Sequence, residues 1–236
     1  MTPATAPYTR MMLAASASIL GACAGAPAAK PATPVAASSS GVAGTDTSRA
    51  ERRGPADTTP GLVPVGFGTL RQDDLSLRIT SSSLQVRANP LDESIIRLLS
   101  PDSYRAMSEL RRSKSEAIAL VARRNGARDV SVWYVSFFAV ERGETRFSPR
   151  EFIITNVGRE FRPLDILPLT PGFGEQRLRQ NGRQDALYVF DGQLDVTQPL
   201  TVSYATERND EWGRILPLIE RERSLVRSRA SAGRAP

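Results

Sequence analysis

Residues 129–141, DVSVWYVSFFAVE, constrain the fold of this 236-residue chain more than any other stretch. At strand period, Val132, Tyr134 and Phe138 fall on one side and Trp133, Val135 and Phe137 on the other. A strand that is apolar on both faces belongs in the middle of a sheet and needs cover above and below. A sheet of several strands, with a further layer on each side, is therefore expected.

The flanking sequence supplies the partners. DLSLRIT (74–80) and SLQVRA (83–88) place Leu75, Leu77, Ile79, Leu84, Val86 and Ala88 in strict alternation, the pattern of half-buried strands, with Ser81 and Ser82 near the turn. REFIITNVG (150–158) is a further strand ending in an Asn/Gly turn, and DALYVFDGQLDV and PLTVSYATE hold two or three more. Between them, FRPLDILPLTPGFG is broken by Pro163, Pro168 and Pro171 and suits an edge or crossover segment.

Two stretches carry the helical period instead. Asp92 can cap a short turn bearing Ile95, Ile96, Leu98 and Leu99. Ser100, Pro101 and Asp102 then form a helix start: a capping hydroxyl, Pro at the first helical position and an acid in the first turn. Met107, Leu110, Ala117, Ile118 and Val121 make the apolar stripe, and Asn125-Gly126 supplies the stop, so one amphipathic helix is expected over about 101–124. A last helix is expected over about 210–228, with Trp212, Ile215, Ile219 and Val226 on one face and a kink or restart at Pro217.

The N-terminus has a different character. One basic residue, Arg10, precedes the mostly apolar run MMLAASASIL (11–20), and small residues follow. That order describes a secretory signal peptide, and the run is far short of the roughly 20 residues that cross a bilayer as a helix. Leu20, Gly21, Ala22 and Cys23 resemble the lipobox of bacterial lipoproteins. The resemblance implies cleavage before Cys23 and acylation of its thiol and new amino group. With Ala24 in place of Asp after the lipidated cysteine, it implies a cell-envelope protein on the outer membrane. Two or more acyl chains make a lasting anchor where one would hold only reversibly. The following Ala/Pro/Ser-rich stretch to about Pro64 lacks the apolar residues needed to offset ordering entropy and reads as a flexible tether. About 40 such residues span on the order of 35 Å.

Composition limits the chemistry. Cys23 is the only cysteine, so no disulfide forms within the chain, and there is no histidine at all. This removes the Ser-His-Asp and Cys-His machineries and imidazole metal sites. No phosphate-cradling loop appears: GFGTL (66–70) and GFGEQ (172–176) lack the required Lys or third Gly, and read as turns that admit close backbone approach. No catalytic residue, metal site or cofactor is assigned. Carboxylates alone can hydrolyse glycosides as a pair, with Asp73, Asp74, Glu151, Asp165, Asp191 and Asp195 as candidates; Asp191 and Asp195 are also candidate calcium ligands. Acids in such positions are mostly turn formers. Arg and Lys outnumber Asp and Glu by 31 to 25, a modest and scattered excess that is no nucleic-acid footprint. On the helix, Arg111, Arg112, Arg123 and Arg124 are the candidate anion-binding residues, set against the plainer reading of a solvated face.

FIITNVGREFRPLDI and LYVFDGQLDVTQPLTVSYA resemble the strand–turn–Pro pattern and closing strands of immunoglobulin-like sandwiches in bacterial envelope proteins. The expected architecture is α+β, mainly β: an antiparallel immunoglobulin-like β-sandwich with an inserted amphipathic helix and a C-terminal helix. The expected organisation is a signal peptide (1–22), a lipidated tether (23–64), the sandwich (65–208) and a C-terminal helix with a basic tail (209–236). The function expected of it is non-enzymatic binding, scaffolding or assembly at the envelope. Its partners would be the membrane through the lipid, and an envelope protein or anionic envelope polymer, with no nucleic acid. The competing expectation is a carboxylate-dependent enzyme acting on cell-wall or surface glycan.

Overall fold

The computed structural model describes residues 61–233. The expected strand at 129–141 is β3 (Val130–Ala139), the middle of a five-stranded antiparallel sheet ordered β1-β2-β3-β9-β7. Here β1 is Leu77–Thr80, β2 Leu84–Pro90, β7 Asp165–Pro168 and β9 Arg183–Asp191. Trp133, Val135 and Phe137 are paired across β3 with Tyr188, Ala186 and Gln184 on β9, and with Pro90, Ala88 and Val86 on β2. Val132 and Tyr134, on the opposite face, are buried as well. The edge strand β7 carries the Pro-interrupted segment, as its missing donors require.

A second antiparallel sheet, ordered β11-β10-β5-β6, comprises β5 (Phe152–Asn156), β6 (Arg159–Phe161), β10 (Leu200–Tyr204) and β11 (Glu207–Asn209). Its inner face meets the first sheet through aromatic rings. Phe152 lies 5.3 Å from Tyr188, and Phe137 lies 5.7 Å from Tyr204, both in edge-on arrangements that favour the ring quadrupoles. The fold is therefore mainly antiparallel β, with two sheets sharing a core. A two-stranded pair, β4 (Glu144–Arg146) with β8 (Arg177–Arg179), closes one end and brings Phe147 within 4.7 Å of Phe137. Neither short strand was evident in the sequence. The β5–β6 turn holds Val157 and Gly158 both at positive φ, 49° and 72°, and Val157 there is a β-branched residue in a region suited to Gly or Asn.

The helices enter between β2 and β3 and again at the C-terminus. Asp92 caps the short α1 (Glu93–Ile96) by accepting from the Ser94 amide at 2.8 Å, as the sequence predicts. The single helix expected over 101–124 is in fact two, α2 (Pro101–Ser113) and α3 (Ser115–Arg124). Lys114 between them leaves helical geometry at φ −112°, ψ 10°. The Ser113 hydroxyl donates to the Leu110 carbonyl at 2.8 Å, the back-bonding by which serine competes with the helix ladder. Pro101 opens α2 as expected, but the Ser100 hydroxyl turns to Ser103 and caps no amide. Met107, Ile118 and Val121 join the same continuous core as the sheets.

The C-terminal helix, α4 (Trp212–Ala232), starts and ends later than expected and runs unbroken through Pro217. Gly213, whose carbonyl loses its donor to Pro217, is exposed, which makes that loss cheap. Trp212 is fully buried, packs 6.1 Å from Trp133, and donates its indole N–H to the Val196 carbonyl at 2.8 Å. Asn156 ties the same loop to β5: its amide donates to the Asp195 and Pro199 carbonyls and its oxygen accepts from the Asp195 amide.

The first described residues are fixed by backbone. Leu70 and Leu99 form a parallel bridge, with Leu70 N donating to Leu98 O and Ser100 N to Leu70 O. A Cβ on Gly68 would stand 2.3 Å from the Leu98 carbonyl carbon and oxygen, so this glycine permits the close approach that GFGTL suggested. Alongside, buried Glu222 of α4 accepts from the Thr69 amide and hydroxyl, each at 2.9 Å, and from Arg229 at 2.7 Å. Burial opposes the charged form of Glu222, but the Arg229 and Thr69 donors outweigh it and hold the carboxyl below its ordinary value of 4.5.

Two tests follow from this clamp. Gly68→Ala is expected to cost about 3 kcal/mol in chemical denaturation, because the clash is with backbone that cannot rotate away. Glu222 has a depressed native pKa, so its contribution is present above pH 4.5 and lost as pH falls through the native value. Glu222→Gln is expected to be less stable than wild type at pH 7, with the gap in denaturation midpoint narrowing as pH falls below 4.5. A constant gap would contradict the assignment.

Candidate functional site

The helical insert forms a groove of about 530 Å³ on the surface of the body. Glu93 of α1 and Arg97 at its C-terminal cap form one wall, Tyr104, Ser108, Arg111 and Arg112 of α2 another, and Ser115, Ile118 and Ala119 of α3 complete it. The residues of α2 and α3 recur at three- and four-residue spacing, so they share one helical face that carries on across the break at Lys114.

Arg97 is buried with only 3 % of its surface exposed. Its Nε donates to Glu93 Oε2 at 3.0 Å, and its Nη1 to the Val63 carbonyl at 3.2 Å. The Tyr104 hydroxyl stands 3.5 Å from the same Glu93 oxygen. Arg111 is half-buried, with Nη1 donating to the Leu91 carbonyl at 2.9 Å at the end of β2. Arg112 is exposed, and among the described residues no acid pairs with either Arg111 or Arg112. Among the described residues Glu93 is the one acid lining the groove, and it is engaged with Arg97. The described lining therefore carries more positive than negative charge.

A smaller groove of about 250 Å³ adjoins it along α2. It shares Tyr104, Ser108 and Arg112 with the first and adds Val65, Gly66, Pro101, Arg105 and Glu109. Arg105 pairs with Asp102 at 3.6 Å, an exposed pair of little energetic weight.

Of the four arginines singled out in the sequence, the structure brings Arg111 and Arg112 to the groove. Arg123 and Arg124 are exposed in the last turn of α3 and do not line it. Cys23 and the preceding Leu20, Gly21 and Ala22 lie outside the described residues. Sequence reasoning missed Tyr104, Ser108 and Ser115, which the spacing with Arg111 would have placed on its face. It also missed Glu93 and Arg97, which reach the groove only through the fold.

Five of the six candidate carboxylates have local partners. Asp73 pairs with Arg87 at 2.8 Å and Arg78 at 3.3 Å, and Asp74 accepts from the Arg71 amide. Asp165 accepts from the Ile166 amide, Asp191 from that of Gln193, and Asp195 from the amide and hydroxyl of Thr197. Glu151 is exposed in a 3-10 turn before β5. None of the six lines either groove. Among the described residues no cluster of three or more Asp, Glu, Cys or His is placed to hold a metal ion, and no helix is long and apolar enough to cross a membrane.

The chain matches no family model, no curated protein and no solved structure.

Removing the Glu93 charge takes one anionic partner from buried Arg97. Glu93→Gln is therefore expected to destabilise the body by about 1–3 kcal/mol, read from denaturant unfolding, without altering the strand content seen by circular dichroism.

Proposed function

We propose that the protein is a lipid-anchored envelope protein, held to the outer membrane by acylated Cys23 and acting as a non-enzymatic binding, scaffolding or assembly module. One observation carries the reading: Arg10, the apolar run 11–20 and Leu20-Gly21-Ala22-Cys23 follow one another in lipoprotein order. The Ala/Pro/Ser-rich sequence after Cys23 fits a slack tether, which would let the body reach a partner away from the lipid surface. On this reading the paired sheets are an immunoglobulin-like sandwich, with the helical insert between β2 and β3 as its distinguishing addition. The positive groove beside α2 favours an anionic envelope partner over an uncharged one.

The test is metabolic labelling with a fatty acid in bacteria expressing the full chain. Wild type is expected to take up label and sediment with membranes, and Cys23→Ala to do neither. Label that persists in the variant, or never appears in wild type, would remove the lipoprotein reading.

A further inference from the structure

We infer that the groove between α1 and the α2–α3 face binds an acidic sugar, one unit of a carboxylated or phosphorylated glycan, with Arg112 as its principal anion contact. This rests on the reading of the body as a binding module and names the ligand of that module.

Charge gives the first argument. Arg111 and Arg112 bring two cations to one groove, and the one carboxylate among its described residues is already engaged with Arg97. Arg111 is held by one nitrogen on the Leu91 carbonyl, which fixes the side chain and leaves the rest of the guanidinium available. Arg112 makes no ion pair among the described residues. Adjacent guanidinium forks grip a carboxylate or phosphate through paired hydrogen bonds, where lysines would act as point charges.

The remaining lining selects the scaffold that carries the anion. The hydroxyls of Ser108 and Ser115 make no side-chain hydrogen bond within the described residues, so both are available to a ligand. Ile118 and Ala119 add an apolar surface beside them. Hydroxyl donors next to a small apolar surface suit a sugar ring, which offers hydroxyls at its rim and C–H groups on its faces. A volume of about 530 Å³ falls within the range of small-molecule sites and admits a sugar of one or two units.

Continuity argues for a polymer. The second groove shares Tyr104, Ser108 and Arg112 with the first, so a chain held at Arg112 continues along α2 without leaving the surface. Val65 and Gly66 line that second groove, which places it beside the first described residues of the body.

The experiment is calorimetric titration of the full chain in detergent micelles with glucuronate, glucose 6-phosphate, glucose and a tetraglutamate peptide, at low and high salt. Saturable binding of at least one sugar acid, weakened by salt, is expected, with glucose and the peptide binding more weakly. Arg112→Gln is expected to lose about tenfold in affinity for the sugar acid, the value of one charge-assisted contact. Arg123→Gln/Arg124→Gln, which removes the same kind of charge outside the groove, is expected to stay within about twofold, since screened surface charges contribute little. Arg112 is exposed, so its variant tests binding without threatening the fold. The inference fails if neither acid binds saturably, if glucose or the peptide binds as tightly, or if the Arg123/Arg124 variant loses as much as Arg112→Gln. Acid binding with no fatty-acid label on Cys23 would keep the groove and remove the anchor; label without acid binding would do the reverse.

Discussion

Strand β3 is covered on both faces, and the other elements are arranged to keep it so. Its inner side chains meet the second sheet and α4, with Trp133 against Trp212 and Phe137 against Phe147 and Tyr204. Its outer positions Val132 and Tyr134 are buried too, in the core that also takes Met107, Ile118 and Val121 from the helices. The chain's one cysteine cannot form an internal disulfide. The body therefore stands on apolar burial, with the large rings contributing most area per residue.

Among the described residues the buried side-chain polar atoms have partners except Arg87 Nε, since an unmatched group costs what several apolar contacts provide. Tyr188 is fully buried and its hydroxyl donates to the Pro149 carbonyl at 2.8 Å; burial first, and then the neighbouring Tyr204, push its pKa up, so it stays a neutral donor. Asn156 joins β5 to the 195–199 loop, and Trp212 joins that loop to α4. Glu222, held by Arg229 of the same helix, joins α4 to Thr69. These contacts span long sequence separations and fix how the apolar layers sit on one another. The helical insert inherits its position from this frame, because Arg111 and Arg97 are held by the Leu91 and Val63 carbonyls. The groove is accordingly a product of the frame, not of the helices alone.

Local signals read well where they had no competitor. The alternation in 77–88 became β1 and β2, while Asp74 and Leu75, expected to open the first strand, close a 3-10 turn at Gln72–Leu75 instead; the proline-broken segment became edge strand β7, and Asp92 became a cap. They failed where local chemistry was balanced. The 101–124 stripe remained on one face, yet Ser113 drew the Leu110 carbonyl and the helix divided at Lys114. Pro217 left α4 intact, and the carbonyl it deprives of a donor belongs to exposed Gly213. Strands β4 and β8 are three residues each, too short to show a period, and exist only by pairing with one another.

By itself the sequence determined the central strand, its alternating neighbours, the apolar faces of the helices and a set of four helix arginines that includes the two at the groove, because each follows from the residues of a single segment. Tertiary structure alone decided that Arg123 and Arg124 lie off the groove and that Glu93 and Arg97 belong to it. It also decided that Leu98 is the backbone which Gly68 admits, where the sequence had shown only that GFGTL allows a close approach. The physical reason is common to all three: each depends on how closely two segments distant in sequence approach, and no period within either segment carries that distance.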